Sequence, residues 1–117
     1  MSEYHEAWSA LPEQSRDLHR ALKSLIEELE AIDWYQQREA LTEDESLKQI
    51  LEHNRDEEVE HAAMTLEWLR RKLPVFDEQL RQYLFSSGPI TEIEAGGAEA
   101  SGGGSKGLGI GDMKEKA

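Results

Sequence analysis

The sequence has 117 residues and no cysteine, which excludes disulfides and thiolate metal sites and leaves no mark of the redox compartment. It is poor in positive charge: 13 Lys and Arg stand against 25 Asp and Glu, a formal net charge of -12 and a pI near 4.7. That balance argues against nucleic acid and against an anionic membrane as partners, and it makes cations the natural ligands. No apolar run approaches the length of a membrane span. The N-terminus Met1-Ser2-Glu3-Tyr4-His5 lacks a basic stretch followed by an apolar one, so a cytosolic origin is expected. Between Pro12 and Pro74 there is neither proline nor glycine, so long helices can run there uninterrupted.

Leu18, Leu22, Leu25, Leu29 and Ile32 recur in a 4-3-4-3 rhythm, which predicts a helix from Pro12 to about Ala40, on the order of 40 Å long. Thr42-Glu43-Asp44-Glu45 matches a capping box, with Thr42 as N-cap and Glu45 reaching back to it. A second helix then runs to about Leu73, antiparallel to the first because the connection is short, and Pro74 ends it. A third, shorter helix is expected over Val75 to Phe85, stopped by Gly88-Pro89. A hairpin of this size encloses little interior of its own, so association is expected on size alone.

Composition changes after Pro89. Ala95-Gly96-Gly97-Ala98 and Ser101-Gly102-Gly103-Gly104-Ser105 are linker sequence, so disorder is expected there. The chain therefore divides into a helical domain over 1–91, a flexible linker over 92–107 and a terminal segment over 108–117. In that last segment Leu108-Gly109-Ile110-Gly111-Asp112-Met113 presents alternate apolar side chains at the tip of the spacer, the form of a peptide that docks in another protein's groove.

The chemistry lies on the helical faces. Around one line of the second helix fall Ile50, Leu51, Asn54, Glu58, His61, Thr65, Trp68 and Leu69, so Glu58-x-x-His61 interrupts an otherwise burial-prone stripe. Carboxylate and imidazole one turn apart can converge on one ion. An internally hydrogen-bonded or solvated pair is the alternative, and Glu-x-x-His alone is a weak motif in a Glu-rich helix. On the first helix Glu28 borders the apolar stripe and Tyr35 follows two turns later. One chain thus offers one Glu and one Glu-x-x-His, half of what a di-iron carboxylate bundle takes from four helices. A two-fold homodimer of hairpins would supply the rest. Oxygen and nitrogen donors without sulfur suit Fe(II), Mn(II) or Zn(II), and with iron the corresponding activity is oxidation of Fe(II) by dioxygen.

On another face of the first helix Glu27, Glu30 and Trp34 share i, i+3, i+7 spacing, which by itself reads better as ordinary charged surface than as a cation waiting site. His19 and His53 lie off the site line and read as structural or surface residues. Arg70-Arg71-Lys72 complements the dipole at a helix end. Gly107-x-Gly109-x-Gly111 follows no strand and is not a phosphate loop.

Glu27-Glu28-Leu29-Glu30-Ala31-Ile32-Asp33-Trp34-Tyr35 and His53-Asn54-Arg55-Asp56-Glu57-Glu58-Val59-Glu60-His61-Ala62-Ala63-Met64 resemble the two signature helices of the encapsulated ferritins, and the likeness covers most of residues 18–91. The resemblance implies an all-α protomer, an antiparallel two-helix hairpin plus a short C-terminal helix, that dimerises into a ferritin-like four-helix bundle. It implies a ferroxidase with a di-iron cofactor cycling between Fe2+ and Fe3+ at the dimer interface, and five dimers in a decameric ring. By motif position Glu28, Glu58 and His61 would be the iron ligands, Tyr35 would lie beside the centre, and Glu27, Glu30 and Trp34 would form a metal gateway. It further implies iron storage in an encapsulin nanocompartment within the cytoplasm, reached through a C-terminal peptide such as Leu108-Gly109-Ile110-Gly111. A non-catalytic metal-binding or metal-chaperone protein is the rival reading of the same residues.

Overall fold

The structure, a computed structural model, describes residues 3–94; of the expected linker over 92–107 only residues 92–94 are described, and they are helical, while the rest of it and the docking peptide lie outside the described residues. A 3-10 turn, Trp8–Ala10, precedes three helices, α1 (Glu13–Leu41), α2 (Glu45–Lys72) and α3 (Pro74–Tyr83). Residues 90–94 are also helical, and no strand occurs among the described residues. The chain divides after Leu69 into two compact units.

In the first unit α1 and α2 form an antiparallel hairpin. Glu28 at the middle of α1 meets Thr65 towards the end of α2, whereas Glu39 near the end of α1 meets Arg55 in the first half of α2, with 3.5 Å between charged groups. Pro12 takes the N-cap position of α1 in extended conformation, leaving its carbonyl to accept the Arg16 N–H at 3.1 Å. Thr42, expected to cap α2, is instead used at the end of α1, where its N–H donates to the Arg38 carbonyl at 3.1 Å. Asp44 caps α2: its carboxylate accepts the Leu47 N–H at 2.9 Å and its carbonyl the Lys48 N–H at 2.9 Å. The negative charge at a helix N-terminus makes Asp44 the better acceptor, and Thr42 Oγ1 supports it by accepting the Asp44 N–H at 3.3 Å.

The apolar rhythm of α1 is divided between two environments. Leu18, Leu25 and Ile32 are half-buried, while Leu22 and Leu29 are 39% and 54% exposed and Ile26 beside them 51%. One partner helix cannot cover a stripe this broad, so a flank of α1 is left uncovered. On α2 Leu69 is completely buried and Ala62 nearly so, but Ile50 and Met64 remain exposed. Beside the hairpin seam runs an open groove, lined on α1 by Asp17 and Ser24 and on α2 by Met64, Thr65 and Trp68. At about 100° per residue, the Leu22, Ile26 and Leu29 flank lies on the far side of α1 from that groove.

Residues 3–10 carry no periodicity, yet they lie along α1. The Arg16 guanidinium sits 3.8 Å over the Trp8 ring while its Nε donates to the Trp8 carbonyl at 3.2 Å. The His19 ring is 4.1 Å from that of Tyr4, and Glu3 pairs with Lys23 at 3.0 Å.

In the second unit Leu73 is extended and Pro74 opens α3 as a first-turn residue, so the proline starts a helix as well as ending one. Asp77 accepts from Arg81 Nε at 2.9 and 3.0 Å and is paired with Arg70. Burial pushes the Asp77 carboxyl up, but the two guanidinium groups outweigh it and hold the pKa below its ordinary value. α3 ends at Tyr83, two residues before the expected end. The Leu84 N–H closes the last turn on Leu80 at 2.9 Å, and Phe85 adopts φ 61, a left-handed conformation that a helix cannot continue through. The stop is made at Leu84, whose backbone is already extended at φ -70 and ψ 143, with Phe85 following it, upstream of Gly88-Pro89. Gly88 itself, at φ 83, supplies a conformation that a side chain would strain.

Candidate metal centre

Glu28 and Tyr35 on α1, and Glu58, His61 and Thr65 on α2, are all half-buried. The Thr65 hydroxyl lies 3.4 Å from Glu28 Oε2 and 3.1 Å from the His61 carbonyl. The other carboxylate oxygen, Glu28 Oε1, is buried with no hydrogen-bond partner. On α2, His61 Nδ1 stands 3.6 Å from Glu58 Oε1, and His61 Nε2 stands 3.9 Å from Glu57 Oε1.

These distances leave Glu58 and His61 as an open pair and not a closed one. At 3.6 Å the Glu58 and His61 donors are too far apart for a hydrogen bond. Two donors each about 2.1 Å from a common ion would be about 3.0–3.5 Å apart, which the pair reaches with a slight closure. A buried carboxylate oxygen without a partner is costly, and a cation is one group that offsets that cost. The donor set of oxygens and an imidazole nitrogen fits a divalent first-row ion. Among the described residues no three His, Asp or Glu side chains of one chain converge closely enough to hold an ion. Glu58 and His61 come together and Glu28 is tied to their helix through Thr65, but within one chain these side chains do not close around a common point.

Tyr35 carries the Arg38 guanidinium 5.5 Å from its ring centroid. Glu27 and Glu30 are exposed, as is Trp34 at 51%. This face already holds a cation: the Lys23 pKa is raised, first by its bond to Glu3 and further by the charges of Glu27 and Glu30. His53 lies at the surface, 3.9 Å from Glu57, and His19 is held in the N-terminal contact with Glu3 and Tyr4. Neither joins the group around Glu28.

Two participants carry no role in the sequence reading. Glu57 stands between His53 and His61, a placement that i, i+4 spacing on both sides could have shown. Thr65 is visible on the α2 stripe, but its bond to Glu28 depends on the register between the helices, which periodicity does not give.

Comparison with known proteins bears on the family and the fold. The EncFtn-like family profile matches residues 3–87. A Thermotoga maritima protein named "Ferritin-like protein" is 60% identical over 104 residues, spanning 86% of this chain and 91% of that one. A Rhodospirillum rubrum protein named "Encapsulated ferritin-like protein" is 52% identical over 126 residues, spanning 97% of this chain and 89% of its own. The crystal structure of a Nitrosomonas europaea protein superposes with a TM-score of 0.74 at 55% identity, covering 76% of this chain and 98% of that one.

Proposed function

Because the chain belongs to the EncFtn-like family, we propose that it is a ferroxidase that oxidises Fe(II) with dioxygen at a di-iron centre shared by two copies. The observation that carries the proposal is the buried, unpartnered Glu28 Oε1, whose carboxylate is tied to α2 through Thr65, together with a Glu58–His61 pair on α2 too open to be a hydrogen bond. In a two-fold dimer each copy contributes Glu28, Glu58 and His61, which completes the oxygen and nitrogen donor set that one chain leaves partial. The four carboxylates favour the more highly charged Fe(III), and this helps drive oxidation. His61 gives one nitrogen per iron. Tyr35, seven residues beyond Glu28, stands beside the centre. Glu27, Glu30 and Trp34 form a gateway that iron crosses on its way in.

The exposed flanks support assembly beyond the dimer. The groove side and the Leu22, Ile26 and Leu29 flank lie on opposite sides of α1, and a closed ring of identical dimers, five in this proposal, needs two such contact surfaces. Following the name of the Rhodospirillum rubrum relative, the oxidised iron is stored within an encapsulin shell that takes up the chain through residues 108–117.

Oxygen uptake on adding Fe(II) tests the activity. The protein is expected to consume oxygen well above the rate in buffer alone. Cation binding with no faster uptake would leave a non-catalytic metal carrier. Deleting residues 108–117 should leave oxidation unchanged and abolish co-purification with a co-expressed encapsulin shell; undiminished co-purification removes the docking role.

A further inference from the structure

We propose that Thr65 is a positioning residue for Glu28, which holds one carboxylate oxygen so that the other faces the cation. The proposal rests on the metal-centre reading above and adds to it a residue outside the ligand set.

A threonine hydroxyl within a helix ordinarily donates back to the carbonyl four residues earlier, a bond that adds little to stability. Thr65 has that acceptor, the His61 carbonyl at 3.1 Å, and a second one from the other helix, Glu28 Oε2 at 3.4 Å. The hydroxyl has one proton for two acceptors. An ionised carboxylate is the stronger acceptor, because a hydrogen bond to a charged group is about twice as strong as one between neutral groups. The small rotation needed to reach it is free to a hydroxyl rotor.

The two oxygens of Glu28 are thereby made unequal. Oε2 has Thr65; Oε1 is buried with nothing. A carboxylate able to turn about its last torsion would present either oxygen, or both, to an ion. One tied at Oε2 presents Oε1 in a fixed direction and loses less freedom on binding. Thr65 lies one turn beyond His61, so the same residue couples the α1 ligand to the helix that carries the α2 ligands. It also lines the open groove beside the seam, and the bond is thus placed where the site meets that groove.

The test uses Co(II), a redox-inert probe under these conditions, titrated into the full-length protein and followed by calorimetry and by its visible absorption. Thr65→Val keeps the shape and removes the proton, and Thr65→Ser restores it. The valine variant should bind Co(II) about tenfold more weakly, the usual order for loss of a residue that orients a metal ligand, with an altered absorption band. The serine variant should return to the wild-type affinity and band. Thermal unfolding without metal is measured in parallel. If Thr65→Val lowers the unfolding temperature but binds Co(II) like wild type, Thr65 is only structural and the proposal fails. It also fails if serine does not rescue the valine defect. Absence of Co(II) binding in the wild type would overturn the metal-centre reading itself, and so is told apart from either result.

Discussion

Glu58→Ala and His61→Ala are each expected to reduce Fe(II) oxidation to the rate seen in buffer. Disturbing a residue that merely orients a metal ligand costs about 10–100-fold, so removing a ligand should cost at least about 100-fold. The loss should not come from unfolding. Both side chains are half-buried, and the pair has no direct hydrogen bond to lose. Their helix is held by Asp44 at its start and by Leu69 near its end, so far-UV circular dichroism should stay at the wild-type value. An alanine variant that keeps its helix content and still oxidises iron at the wild-type rate would remove the assigned ligand from the centre.

The largest expected effect on stability is at Leu69. It is the one large side chain completely buried among the described residues, in a protein whose other apolar side chains are mostly half-exposed. Leu→Ala at a buried site costs about 2–5 kcal/mol, against about 5–15 kcal/mol for an entire domain. For a domain of this size that corresponds to a fall in melting temperature of roughly 10 °C or more, read by thermal unfolding at one fixed protein concentration. A fall of under about 3 °C would show that Leu69 does not anchor the fold.

The long helices were legible because nothing between Pro12 and Pro74 breaks them and because leucine recurs at helical spacing. The Glu58 and His61 pair was legible because two polar residues stand on an apolar line. Where the sequence reading went astray, two local signals competed. Thr42 and Asp44 both suit an N-cap, and the choice fell to Asp44 once α1 had extended through Leu41 and used Thr42 at its own end. Gly88-Pro89 is a strong stop signal, but the backbone turned extended at Leu84 and left-handed at Phe85 before it was reached. The contact of residues 3–10 with α1 has no period to betray it, since it depends on single pairs such as Arg16 with Trp8. Thr65 needs the register of one helix against the other. The exposure of Leu22 and Leu29 has a different cause: their rhythm marks them for burial, and the described residues of one chain leave them 39% and 54% exposed.

Those exposed leucines fit a catalytic unit of more than one chain. Fe(II) oxidation should be measured on size-separated fractions of known mass. Species of dimer mass or larger are expected to oxidise iron, and a monomer fraction to be no faster than buffer. A monomer that oxidises iron at the same rate per chain would show that one hairpin holds a complete centre, and the shared site would be wrong.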